Sequence, residues 1–183
     1  MGNRKSWEFD RQLERGEAGV MIAKMVLRGR YPLVTDYNKD MAMQRRGIDL
    51  FAEGLGYIEI KTDYHDDSPN FFLETSVGNR PGAVDTSGAE YFCFIYPNRR
   101  QMYLLPRPHI VKWLREHWEE YVQRDKIIPI KSHQGSDTWS ANGIVVSREK
   151  LIRYVRKAGG KVVRIHWKES EEVLSNLDWG EEV

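Results

Sequence analysis

The sequence is poor in several features that would fix its class at once. Among 183 residues there is one cysteine, Cys93, so no disulfide can staple the chain from within. Its setting, Tyr91-Phe92-Cys93-Phe94-Ile95-Tyr96, marks it as a small buried core residue and not a nucleophile. No apolar run has the length of a membrane span and no signal peptide is recognisable. The expectation is therefore a protein of the cytoplasm (a host's, if the source is viral) with no membrane partner. The five histidines, His65, His109, His117, His133 and His166, are scattered without metal-type spacing. Repeats, low-complexity linkers and a marked domain boundary are also lacking. A single domain over residues 1–183 is expected, with a core of about 7–122 and a C-terminal elaboration of about 123–183.

Charge is scarce only in its sum. The net charge is +1, yet residues 168–183 hold six acids and one lysine, which leaves the remainder at +6. A moderately basic body of this kind suits a phosphate-bearing partner, and equally an ordinary solvated surface.

The most informative stretch is residues 47–63. Two short apolar runs flank a Gly-rich turn at Gly54, the pattern of a β-hairpin. Alternation along the second strand sends Ile58 and Ile60 to one face and Glu59 and Lys61 to the other. Folding about Gly54 brings Asp49 opposite Glu59 or one pair away, and an even offset gathers both carboxylates and the ammonium on one face. Carboxylate oxygens are hard ligands for Mg²⁺, with Mn²⁺ expected to substitute, and Mg²⁺ is held by one or two carboxylates plus waters. The lysine can orient or help deprotonate a water and can stabilise charge on a phosphate. The plainer alternative is a surface Glu-Lys pair, which is worth little.

Gly47-Ile48-Asp49 followed by Glu59-Ile60-Lys61 resembles the signature of the PD-(D/E)XK nuclease superfamily, with Ile48 standing where proline is common. The helix carrying Glu17 in Leu13-Glu14-Arg15-Gly16-Glu17-Ala18 resembles the one that supplies the first acid in archaeal and phage-type Holliday junction resolvases. The resemblance covers about residues 10–105. It implies an α/β fold with a mixed central sheet flanked by helices, a restriction-endonuclease-like core and a C-terminal α/β elaboration. It further implies Mg²⁺ held by Asp49, Glu59 and the Ile60 carbonyl, with Glu17 completing the metal shell and Lys61 positioning the water. The implied reaction is in-line hydrolysis of a DNA phosphodiester leaving a 5′-phosphate.

Other segments supply secondary candidates. A helix is expected over about 7–28 with a break near Gly16, after a frayed stretch at 1–6. A strand over 31–38 follows, then a loop at 39–46 that delivers Gln44, Arg45 and Arg46 next to the site as DNA contacts. A strand over 70–75 carries Glu74, a further acid for a second ion or a partner for Lys61. The loop 79–82 offers Arg80 to phosphate. Residues 91–96 read as a central strand buried on both faces, 102–105 as its neighbour, and Pro106 and Pro108 as the opening of a helix. The helix stripe of Ile110, Trp113 or Leu114, Trp118 and Tyr121 reads as core, not a base-stacking platform. Residues 126–139 read as loop, 143–146 as a short strand, and Ser147 as the cap of a helix to 157. Arg148, Lys150, Arg153, Arg156 and Lys157 would form a basic face on that helix. Residues 161–167 alternate as an edge strand, and the acidic end reads as a frayed tail or phosphate mimic.

The functional expectation is a structure-selective endonuclease acting on DNA, with four-way junctions as substrate and a homodimer to cut two strands symmetrically. Another nuclease of the same core, or a non-catalytic DNA-binding protein, are the alternatives.

Overall fold

The structure is a computed structural model that describes residues 4–64, 68–123, 127–134 and 137–168, with side chains outside 4–15 and 130–140. In chain order the elements are α1 (Arg4–Arg28), β1 (Val34–Asp36), α2 (Met41–Arg45), β2 (Leu50–Ala52), β3 (Gly56–Thr62), β4 (Asn70–Val77) and β5 (Arg80–Pro81). They continue with α3 (Ala83–Thr86), β6 (Tyr91–Tyr96), a 3₁₀ turn (Pro97–Arg99), β7 (Gln101–Pro106), α4 (Arg107–Gln123), β8 (Ile127–Gln134), β9 (Asp137–Ser147), α5 (Arg148–Lys157) and β10 (Val163–His166). The fold is mixed α/β, as expected, with two sheets. A six-stranded sheet runs β1-β2-β3-β6-β7-β10, and a four-stranded sheet runs β5-β4-β9-β8. In the larger sheet β3 and β6 are parallel and the other neighbours antiparallel, so the central sheet is mixed.

Alternation divides the larger sheet cleanly. One face carries Leu50, Ile58, Ile60, Cys93, Ile95, Met102, Leu104 and Ile165, and it is covered by Val20, Ile22, Ala23 and Leu27 of α1. Gly19 is the point of closest approach, since a Cβ there would lie 1.9 Å from Thr62 Oγ1. The opposite face carries Phe92, Phe94, Tyr96, Tyr103 and Leu105, covered by Phe71 and Leu73 of β4, Ile144 and Val146 of β9, and the apolar stripes of α4 and α5. Ile110, Trp113 and Leu114 are buried, and Trp118 is 36% exposed at the margin of that stripe.

Several expectations change. Helix α1 starts at Arg4 and runs unbroken through Gly16. A helical glycine costs only about 1 kcal/mol, which the packing of residues 20–27 outweighs. Residues 41–45 form a short helix, not a loop, because the Asp40 carboxylate accepts from the Ala42 and Met43 N–H groups at 2.9 and 3.1 Å. The expected loop at 79–82 contains the two-residue strand β5.

The stretch 126–139 is largely strand, with β8 and β9 paired from Ile127↔Ile144 to Gln134↔Asp137. Pro129 is accommodated because β8 is an edge strand, where a missing N–H is tolerated. Arg148 leaves the expected basic face: it is 8% exposed, lies 4.2 Å from the Tyr96 ring and donates to the Ser68 carbonyl at 2.7 Å. Ser147 caps α5 through Lys150 N–H, as expected, and β10 is an edge strand. The acidic tail beyond Lys168 lies outside the described residues.

Candidate active site

The site forms where β2 and β3 part. The hairpin turn spans residues 53–55, with Ala52 opposite Gly56 and Leu50 opposite Ile58. Continued regularly, this register would set Asp49 against Glu59. Instead the Asp49 N–H donates to the Ile58 carbonyl at 2.9 Å while its own carbonyl accepts from Tyr37 N–H at 2.9 Å. The strand is irregular at this residue. The Asp49 side chain extends the ladder in place of backbone, its Oδ2 accepting from the Ile60 N–H at 2.6 Å. Asp49 thus reaches Glu59 and Lys61 by bridging the end of the ladder, and not by the simple face alternation that the sequence suggested.

Glu59 and Lys61 lie on the expected face. Lys61 Nζ is 2.6 Å from Glu59 Oε1, and the two side chains are 31% and 8% exposed. Glu59 Oε2 is buried and has no hydrogen-bond partner. Gly47 and Ser87 wall this oxygen: Gly47 has φ +63°, and a Cβ there would lie 3.1 Å from Oε2 and 3.3 Å from Ser87 Oγ. A side chain at 47 would meet both a left-handed backbone and the Glu59 oxygen. Ser87 Oγ donates to the Gly47 carbonyl at 3.0 Å, and Gly88 N–H donates to the Arg46 carbonyl at 2.6 Å, so the loop after α3 fixes the one before β2.

The electrostatics separate the two ends of the site. Burial lifts the Asp49 carboxyl to about 6, aided by Glu59, while the Ile60 N–H and Lys61 pull in the other direction. Burial alone would lower the Lys61 ammonium, but Glu59, then Glu74 and Asp49, outweigh it and hold it above its ordinary value. Lys61 therefore stays charged near neutrality. It can stabilise negative charge or orient a water, but does not serve as a proton acceptor in this state. Cys93 on the opposite face is fully buried and its thiol is pushed up by burial, which leaves it inert.

The remaining candidates divide. Glu74 lies in β4 of the smaller sheet, not beside β3, yet its charge reaches Lys61. Its Oε1 accepts from Ala83 N–H at 3.1 Å. Glu17 is exposed on α1, two residues before the Gly19 contact with Thr62, and among the described residues no hydrogen bond or ion pair joins it to Asp49, Glu59 or Lys61. Gln44 donates to the Asn38 carbonyl, Arg45 is exposed, and Arg46 is exposed with its guanidinium 5.9 Å from the Tyr57 ring. Arg80 is exposed in β5 of the smaller sheet. Sequence reasoning passed over Tyr37, Phe51 and Tyr57, which flank the acids on the Glu59 side of the sheet; the even spacing of Tyr57 from Glu59 and Lys61, which puts it on their face, was the available signal.

A divalent cation fits this donor set. Two carboxylates lie close enough to raise one another's charge cost, one buried oxygen has no protein partner, and burial disfavours the charge on Asp49, a penalty that a cation relieves. Among the described residues no group of three or more His, Cys, Asp or Glu gathers as a metal site. Mg²⁺ does not require one, since it keeps several waters. No helix is long and apolar enough to cross a membrane among the described residues. Comparison with family models, with curated proteins and with solved structures gives no match to this chain.

Proposed function

We propose that this chain is a metal-dependent DNA endonuclease on a restriction-endonuclease-like core, with four-way junctions as its preferred substrate and a homodimer as the acting form. The observation that carries the reading is the grouping of Asp49, Glu59 and Lys61 at the end of the β2–β3 ladder, close enough to interact electrostatically, with one buried Glu59 oxygen that has no partner. Asp49, Glu59 and the Ile60 carbonyl would hold Mg²⁺, which when bound supplies positive charge at the scissile phosphate. Lys61, held charged, stabilises the negative charge that builds on the phosphate and orients the attacking water. Glu17 acts from the rim, through water. Arg45 and Arg46 match phosphate oxygens on the flanking nucleotides, where guanidinium binds bidentately.

The test is a labelled four-way junction incubated with the protein, with Mg²⁺ and with chelator. Paired symmetric nicks that need Mg²⁺ and vanish in Asp49→Asn, with junction binding retained, support the reading. Preferential cutting of linear duplex or single strands moves the chain to another nuclease class. The close Glu59–Lys61 pair favours one further reading, in which the charges satisfy each other and the protein binds DNA without cutting it. That protein would show salt-sensitive DNA binding and no Mg²⁺-dependent cleavage at any pH.

A further inference from the structure

Beside the acids, on the Glu59 and Lys61 side of the sheet, lies a small group of aromatic rings that joins neither buried core cluster. Phe51 and Tyr57 are cross-strand partners with ring centroids 5.3 Å apart, and Tyr37 lies 6.3 Å from Tyr57. Each of the three is partly exposed. Tyr37 follows β1 and pairs with Asp49 through its backbone, so it borders the site directly. Phe51 and Tyr57 are two residues along their strands from Asp49 and Glu59, a separation of roughly 7 Å. Arg46 closes the outer side, with its guanidinium over the Tyr57 ring at 5.9 Å.

A core role does not account for this arrangement, since the rings pack on one another, stay partly exposed and belong to neither buried cluster. Asp49, Glu59 and Lys61 stand next along the same strands, Arg46 lies over Tyr57 and the Glu90 carboxylate accepts the Tyr57 N–H, so the rings border the groups proposed for a phosphodiester. The occupant must therefore present a flat apolar face within one residue step of a phosphate. An unpaired nucleobase does both, whereas in a paired helix the faces are hidden by stacking.

We propose that Tyr37, Phe51 and Tyr57 form a shelf that stacks one unpaired nucleobase next to the scissile phosphate, with Arg46 on the adjacent phosphate. This rests on the nuclease reading above and narrows its substrate to DNA with an unpaired or readily unpaired nucleotide at the cut. A branch point supplies such a nucleotide and continuous duplex does not. The shelf thus gives structure selectivity a physical basis.

The experiment uses the full chain and a forked duplex carrying 2-aminopurine as its first unpaired base, in chelator so that no strand is cut. Wild type quenches the fluorophore and binds the fork more tightly than plain duplex. Phe51→Leu and Tyr57→Leu keep apolar cover but remove the stacking face. They should lose the quenching and about fivefold of fork affinity, the low end of what one stacked base contributes, with duplex affinity unchanged. Exposed Arg46→Ala, which leaves the rings in place, gives a second measure if either leucine variant melts early: quenching persists while fork affinity falls.

Leucine variants that fold, quench and prefer the fork as wild type does would overturn the shelf. The nuclease reading is decided separately, by cleavage of wild-type substrate in Mg²⁺. A wild type that quenches the fork but never cuts it ends that reading and leaves the shelf standing.

Discussion

The two faces of β3 show what one strand does with alternate residues. Ile58 and Ile60 disappear into the core beneath α1, where any well-packed apolar side chain of the right volume would serve. Glu59 and Lys61 face the other layer, where the carboxylate is as buried as the isoleucines but one of its oxygens has no partner. Both faces are buried, but only one is saturated. Arg148 offers a control within the same layer. It is also a buried charge, and its Nε, like Glu59 Oε2, has no hydrogen-bond partner, yet its guanidinium rests on three aromatic rings and holds the Ser68 carbonyl, so it is built into the packing. Neither burial of charge nor one unpaired polar atom sets the β3 site apart; an unfilled acceptor near a second carboxylate does.

The largest separation of the two faces should come from Lys61→Met set against Ile58→Ala. On the proposed nuclease reading, losing Lys61 removes the charge that would stabilise the reacting phosphate, and cleavage should fall at least about a hundredfold. It also strands Glu59, and the fold should lose about 2–3 kcal/mol in urea titrations, less than a fully buried pair because the lysine is partly exposed. Glu59→Gln combined with Lys61→Met should recover most of that stability and none of the activity. Ile58→Ala should cost about 2–5 kcal/mol, while the molecules that remain folded cleave at the wild-type rate. Normal cleavage by Lys61→Met would collapse the distinction.

Next in size is the pH dependence of Asp49. Its folded value of about 6 lies above the ordinary 3.8, so the folded state takes up the proton more readily than the unfolded chain. The favourable contribution is full below about pH 4 and is lost as pH rises through 6, a change of at most about 3 kcal/mol. Asp49→Asn should therefore match wild-type stability near pH 4 and exceed it at pH 8, as read by denaturation at both pH values. An equal difference at both would remove burial as the cause of the raised value.

A bound cation should offset the same penalty. Mg²⁺ at about ten times its dissociation constant stabilises by roughly 1.4 kcal/mol and should raise Tm at pH 8. The rise should shrink at pH 5, where Asp49 is mostly protonated, and should be absent from Asp49→Asn. Thermal shifts with and without chelator read this directly. A shift of the same size in the variant would place the ion elsewhere.

The sequence made the hairpin, the pairing of Glu59 with Lys61 and the buried strand at residues 91–96 readable, because each rests on local alternation or a short apolar run. The second sheet was not readable in that way. Pro129 and the polar residues of β8 carry no period, and their strand state comes from pairing with β9, itself paired with β4 some 70 residues earlier in the chain. Arg148 was misplaced for a related reason: helical spacing puts it on a basic face, but the aromatic rings that receive it come from β4, β6 and β7. The nearness of Asp49 to Glu59 and Lys61 was visible and its route was not, since a side chain standing in for a strand's backbone leaves no pattern.

Glu74 supplies the finest test, because it lies between the two kinds of buried charge. It has a structural duty in accepting the Ala83 N–H, and an electrostatic one in keeping Lys61 charged. Glu74→Gln retains an acceptor oxygen for Ala83 and deletes only the charge. Stability should then stay within about 0.5 kcal/mol of wild type, as for most substitutions that preserve local bonds. Lys61 keeps Glu59 and Asp49 as counter-charges, so cleavage should fall by less than about tenfold, against about a hundredfold or more for Lys61→Met. A fall as deep as that of Lys61→Met, with stability unchanged, would make Glu74 a ligand of a second ion and extend the functional face from β3 into the smaller sheet.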